Sequence, residues 1–168
     1  KGFYPFSGDF WQNVDKVSTE RRGLHTVHQV PLEHLGNENF YLNQYLIDES
    51  SDFCGRVVSK TDKHLEMIDR GRDRLLHHEA WGINPKNIYQ GMALDALLDP
   101  DIELIILMGP AGCGKTLLAM AAALELVVER KLYDKIIVTR NTPEIAESIG
   151  FLPGSEEEKM TPWLAAIT

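Results

Sequence analysis

Eight consecutive residues, Gly109-Pro110-Ala111-Gly112-Cys113-Gly114-Lys115-Thr116, restrict this chain to few architectures. They fit the phosphate-binding pattern G-x-x-x-x-G-K-[ST] at every fixed position. Gly109, Gly112 and Gly114 permit backbone conformations that other residues resist. Successive amides, with Pro110, Ala111 and Cys113 between the glycines, can then point inward around a phosphate. Lys115 supplies a point charge for β- and γ-phosphates, and the Thr116 hydroxyl can ligate Mg²⁺.

The flanking sequence gives the loop a context. Leu104-Ile105-Ile106-Leu107-Met108 is an unbroken apolar run, as expected of a parallel strand buried on both faces. Lys115 to Arg130 is rich in Leu, Ala and Val, which predicts a helix apolar nearly all round and therefore buried. Its N-terminal end would face bound phosphates. Lys135-Ile136-Ile137-Val138-Thr139 reads as a second buried strand, completing a right-handed βαβ unit. The competing reading is a glycine-rich turn with no ligand.

Composition excludes more than it assigns. Apolar residues make up 43% and charged residues 25% of the 168, ordinary for a globular chain of one domain, or of one small domain and part of another. The apolar stretch Leu117–Val128 is too short to span a bilayer and is interrupted by Glu125, so no membrane association is expected. No secretory signal opens the chain. Its first residue is Lys1 rather than Met, so an upstream portion is expected to be missing. Two cysteines, Cys54 and Cys113, neither in a Cys-x-x-Cys pair, fit a reducing compartment and a cytoplasmic location. Cys113 beside a helix N-terminus could have a lowered pKa, but its small size is the simpler reason for its place. Neither His25 and His28 nor His77-His78 assembles a metal site. The net charge of −8 opposes unaided binding to nucleic acid, though not a local basic groove.

Residues 1–80 are expected to form a β-rich connector and residues 81–168 the second unit. Leu24 to Val30 alternates apolar and polar residues as a half-buried strand does, and Pro31 ends it. Phe40 to Ile47 and Cys54 to Ser59 are further strand candidates, giving a small sheet or barrel of three to five strands. Phe3, Tyr4, Phe6, Phe10 and Trp11 could stack on bases; without adjacent basic residues they fit a small core better. Residues 61–80 are charged and read as helical, with Arg70, Arg72 and Arg74 paired to Asp69 and Asp73 on a solvated face. Trp81-Gly82-Ile83-Asn84-Pro85 marks a boundary. From Lys86 to near Asp99-Pro100 a helix carries Ile88, Tyr89, Met92, Ala93, Ala96 and Leu97 on one stripe. After Thr139-Arg140-Asn141, Thr142 suits an N-cap and Pro143 the first helical position. A helix to Ile149, the turn Gly150-Phe151-Leu152-Pro153-Gly154 and a further helix from Ser155 are expected.

Four segments make the chain resemble the PhoH family of P-loop ATPases, in the form where a PIN ribonuclease domain precedes the ATPase. They are Trp81 to Gln90 with Ala93-Leu94-Asp95, the Gly109–Thr116 loop, Ile137-Val138-Thr139-Arg140, and Gly150 to Gly154 with Glu156 to Lys159 and Pro162-Trp163. The resemblance implies an α/β fold: a RecA-like P-loop NTPase with a parallel sheet and flanking helices, related to superfamily one helicases, incomplete here and preceded by the connector. It implies ATP and Mg²⁺ as ligands, single-stranded RNA as a partner, and a homo-oligomer for the complete protein. Gln90 matches the upstream glutamine that reads adenine, where a carboxamide can donate to N7 and accept from the exocyclic amine; otherwise it is a surface residue beside the apolar stripe. Arg140, at the end of a strand where open α/β sheets place ligands, would face nucleic acid or couple it to the nucleotide, or else form a structural salt bridge. Asn141 stands where the family usually has proline, and Cys113 where it usually has threonine or serine.

Lys115 and Thr116 are the expected catalytic residues of an ATPase acting on RNA. Hydrolysis also needs an acid at the end of a later strand, whereas the apolar strand after Lys115 ends in Thr139-Arg140. The 168 residues are therefore expected to be a piece of a larger protein, one that binds nucleotide without completing its hydrolysis. Two other functions are weighed: a nucleotide-gated binding module, in which ATP orders the segment from Thr139 to Trp163, and a small-molecule kinase, which lacks an arginine-rich lid here. Alone, such a piece is expected to be aggregation-prone or partly molten, since two core strands leave unpaired edges and an uncovered helix.

Overall fold

In a computed structural model of the protein, the structure describes residues 2–6, 11, 14, 16–35 and 39–139. Six strands form one sheet: β1 (Phe3–Phe6), β2 (Ser18–Arg22), β3 (His25–Pro31), β4 (Tyr45–Asp48), β5 (Cys54–Lys60) and β6 (His64–Asp69). Their order is β1-β4-β5-β6-β3-β2. β1 runs parallel to β4, with Phe3 opposite Tyr45, and every other pairing is antiparallel. Three helices follow: α1 (Arg72–Leu76), α2 (Ile88–Leu97) and α3 (Lys115–Leu124).

β4 explains why the sheet carries layers on both sides. All four of its residues are buried, and period-two alternation sends neighbours to opposite faces. Leu46 joins Val30, Phe40, Phe53, Val57, Leu65 and Met67 in a core closed by Tyr4 and Trp11. The rings of Trp11 and Phe53 stack at 3.7 Å, and Tyr4 meets Phe40 edge-on at 5.7 Å. These opening aromatics are thus core, whereas Phe3 stays exposed. On the other face Tyr45, Ile47 and Cys54 pack against Leu75 of α1 and Met92 of α2.

Residues 1–80 hold more strand than the alternation in residues 1–60 suggests, and the helix expected over 61–80 is corrected. Leu65 and Met67 of β6 are fully buried and their neighbours less so. Thr61 forms the turn before them, its hydroxyl accepting the His64 amide at 3.0 Å. Only Arg72–Leu76 is helical, after Gly71 at φ +63°. The run Trp81-Gly82 is a tight turn with both φ positive, closed by reciprocal Ala80 and Ile83 backbone bonds.

α2 is the central element. Ile88, Met92 and Ala96 face the sheet, while Leu94 and Leu98 pack on Leu118, Ala121, Ala122 and Leu126. The single stripe read from the sequence is therefore two faces, and Tyr89 belongs to neither, being 54% exposed. α3 runs to Leu124 and continues as a π-helical turn over Glu125–Glu129, closed by the Arg130 amide on the Glu125 carbonyl. It is buried on one side only: Leu117 and Val128 are exposed.

A buried charge cluster fixes α2 to the sheet. Asp95, 2% exposed, accepts the Tyr45 hydroxyl at 2.6 Å and the Arg70 Nε at 2.9 and 3.0 Å, with Arg70 Nη2 as a further donor. Arg56 of β5 lies beside them, its Nε 4.0 Å from Asp95 and its terminal nitrogens bonded to Asn43 and Asp99. Arg70 is thus drawn inward and does not lie on a solvated helix face.

The parallel strands expected at 104–108 and 135–139 are not formed among the described residues. Both segments run without ladder bonds. A strand exists through its neighbours, and none of the described segments pairs with these. Leu104, Ile106 and Met108 remain 79%, 74% and 89% exposed. The architecture is a mixed α/β fold whose described sheet lies within residues 3–69.

Candidate phosphate-binding site

The loop from Gly109 to Gly114 joins the extended segment to α3. Two of its glycines lie in the left-handed region, Gly112 at φ +77° and Gly114 at φ +89°. Gly114 caps α3, and its carbonyl accepts the first helical bond, from Leu118, at 2.9 Å. A Cβ on Gly109 would fall 2.9 Å from the Cys113 sulfur, and one on Gly114 would lie 3.2 Å from the Gln90 amide nitrogen. A side chain at Gly109 would have to displace the Cys113 sulfur, and at Gly114 the positive φ favours glycine.

Lys115 folds back over the loop. Its ammonium donates to the carbonyls of Gly109 at 2.9 Å and Pro110 at 2.7 Å, and lies 3.5 Å from Cys113 Sγ. The charge is held over the concavity of the loop by carbonyls that a phosphate oxygen can replace. Thr116 follows on the first helical turn with its side chain exposed. Ala111 and Gly112 are also exposed. The first amides of α3 have no intrahelical acceptor, as at any helix start, and add partial positive charge at the same end.

Gln90 reaches this loop from α2. Asn87 caps α2, its side chain accepting the Gln90 amide at 2.9 Å. In return Gln90 Oε1 accepts the Lys86 amide at 2.7 Å, and its Nε2 donates to the Cys113 carbonyl at 3.2 Å. This is a capping box shifted by one residue, a signal present in Asn87-x-x-Gln90 but overlooked in reading the sequence. The two contacts orient the carboxamide and leave one lone pair and one N–H unused. A hollow of about 290 Å³, lined by Tyr89, Gln90, Met108, Cys113 and Lys115 among others, opens beside it. That is near the lower limit of small-molecule sites, about 300 Å³.

A larger hollow, about 790 Å³, lies around Arg56, Arg70, Asp95 and Asp99, whose charges already satisfy one another. Cys54 is buried away from the loop, and burial pushes its thiol up to about 12. His28 is held by Thr19 and Asp69. Among the described residues no group of three His, Cys, Asp or Glu could hold a metal ion, and no helix is long and apolar enough to cross a membrane. For Mg²⁺ the exposed hydroxyl of Thr116 is the available hard oxygen at the loop. One protein oxygen suits a cation that takes its other ligands from phosphate and water. Arg140 and the segments Gly150–Gly154, Glu156–Lys159 and Pro162-Trp163 lie outside the described residues.

Comparison with known proteins decides the family. A family model described as PhoH-like protein matches residues 82–168, which contain α2, the loop and α3. The chain belongs to the PhoH family. Its relatives include Protein PhoH2 of Bacillus subtilis, 39% identical over 144 residues, covering 83% of this chain and 31% of the relative. An alignment of that length necessarily reaches upstream of residue 82, into the sheet. Protein PhoH2 of Thermobispora bispora is 39% identical over 73% of this chain and 26% of its own length. Protein PhoH of Escherichia coli is 42% identical over 39% of the chain and 18% of its own. The chain thus spans between about a quarter and a third of the PhoH2 relatives it matches. No solved structure matches it.

Proposed function

We propose that the chain carries the ATP-binding part of a RecA-like P-loop ATPase that turns over ATP in the complete protein and couples the cycle to RNA. The arrangement of Lys115 supports this most strongly. A flexible cation sits on the carbonyls of a glycine loop at a helix N-terminus. An entering triphosphate would take the ammonium from Gly109 and Pro110, and the loop amides would hold its oxygens. As charge builds on the transferred phosphoryl group, Lys115 and the amides stabilise it without reorganising. Gln90, preset by Lys86 and Cys113, would offer its free acceptor to the adenine amine and its free N–H to N7. Bound Mg²⁺, held on the protein side by Thr116, would neutralise phosphate charge.

Calorimetry with Mg·ATP on this chain and RNA-stimulated ATPase assays on the complete protein test the reading. Lys115→Ala is expected to lower turnover about 100-fold or more, as loss of one charge-stabilising donor does, with an unchanged melting curve. Undiminished turnover in that variant would end the proposal. Saturable ATP binding with no turnover in the complete protein would favour a nucleotide-gated module instead.

A further inference from the structure

We propose that Tyr89 is the platform on which the nucleobase stacks, and that Phe3 of β1 holds it there; the inference rests on reading the Gly109–Thr116 loop as a triphosphate site. Tyr89 sits at the second position of α2, next to Gln90, and lines the same hollow as Gln90 and Lys115. Five large aromatic side chains are exposed among the described residues: Phe3, Tyr41, Trp81, Tyr89 and Tyr133. Of these, Tyr89 alone lines the hollow beside the loop. Its neighbours there, Ala93, Leu107 and Met108, are apolar, as the flat face of a base requires.

The ring is supported from outside its own helix. Phe3 meets it with centroids 5.0 Å apart and planes tilted by 58°, within the favourable range for aromatic pairs. Phe3 is itself fixed, because it pairs with Tyr45 in the parallel β1–β4 ladder and the Tyr45 amide donates to the Gly2 carbonyl at 3.0 Å. Tyr45 in turn donates to Asp95 of α2. The prop and the helix that bears Tyr89 are therefore tied to the same strand. A platform held in this way loses little freedom when a ligand lands on it. The division of labour follows: Tyr89 binds any base by its face, and Gln90 discriminates by its edge. On this reading the connector sheet forms part of the nucleotide pocket.

The test compares Mg·ATP, Mg·GTP and Mg·tripolyphosphate, which has no base, by calorimetry on the full chain. Tyr89→Ala is expected to weaken ATP and GTP together by about five- to 150-fold, the range of base–aromatic stacking, and to leave tripolyphosphate unchanged. Tyr89→Trp should restore affinity and report binding by quenched fluorescence. Phe3→Ala should reproduce part of the loss. Unaltered ATP affinity in Tyr89→Ala, or an equal loss of tripolyphosphate, would overturn the proposal. If the parent chain bound neither ATP nor tripolyphosphate, the loop reading would fall and the platform with it. Tripolyphosphate bound as tightly as ATP would remove the platform alone.

Discussion

Replacing Asp95 with alanine should be among the costliest single changes in the described chain. Asp95 is 2% exposed and accepts from Tyr45 Oη and from two nitrogens of Arg70, whose side chain is 16% exposed. Burial, and then the Asp95 charge, raise the Tyr45 phenol well above its ordinary range, so it stays a neutral donor. Alanine leaves that donor and the Arg70 guanidinium without an acceptor. Arg56 adds little, because it keeps Asp99 and Asn43. Removing one member of a buried ion pair costs about 3–5 kcal/mol, against about 5–15 kcal/mol for a whole domain. Tyr45→Phe, which removes one donor while Asp95 keeps Arg70, should cost only about 1 kcal/mol. Urea unfolding followed by circular dichroism measures both. A loss below about 1 kcal/mol for Asp95→Ala would mean that water already shares the cluster, and would refute the reasoning.

Gly91→Ala places a Cβ 2.6 Å from the Leu75 carbonyl oxygen, a main-chain atom that cannot rotate aside. Against a gain of about 1 kcal/mol in helix propensity, overpacking should leave a net loss of about 1–2 kcal/mol in the same urea assay; a net gain would show that α1 yields freely. His78 is held below its ordinary value of 6.5, by burial first, with Arg70 and Arg130 acting the same way and Asp95 and Glu125 opposing. The unfolded chain therefore takes up this proton first, and stability should fall as pH drops from about 6.5 through the lower folded value. His78→Gln should flatten that part of the stability–pH curve, and an unchanged slope would assign it to other groups. Hydrogen exchange of the 168-residue chain should find the amides of residues 104–108 unprotected and those of Cys54–Lys60 protected; equal protection would show that the extended segment has found a partner.

The elements that could be read from the sequence were those whose cause is local. The loop and α3 follow from glycine spacing and an Ala/Leu run, β3 from alternation and β5 from a run bounded by turn residues, whereas of the strand expected over Phe40–Ile47 only Tyr45–Asp48 forms. β6 was obscured because Asp69, Arg70, Arg72, Asp73 and Arg74 follow it closely, and charge density outweighed the alternation of Leu65 and Met67. Residues 104–108 have a strand's composition, but pairing depends on partners that no composition supplies. The same distinction separates the site from the cluster that supports it. Lys115 and Gln90 lie within reach of motifs, whereas the Asp95 cluster draws on β4, β5, the end of β6 and α2, and its one sequence trace is an aspartate inside an apolar helix.

The position of α2 has a mechanical consequence. It is clamped on one side by Tyr45, Ile47 and Cys54 and on the other by Leu118, Ala121 and Ala122, and its ten residues make a rod about 15 Å long. A stiff rod gripped along both flanks cannot twist or slide by itself. If the proposed nucleotide displaced the first turn of α2, the six-stranded slab would have to move with it, and residues 3–69 would act as the far arm of a lever and not as a loose tether.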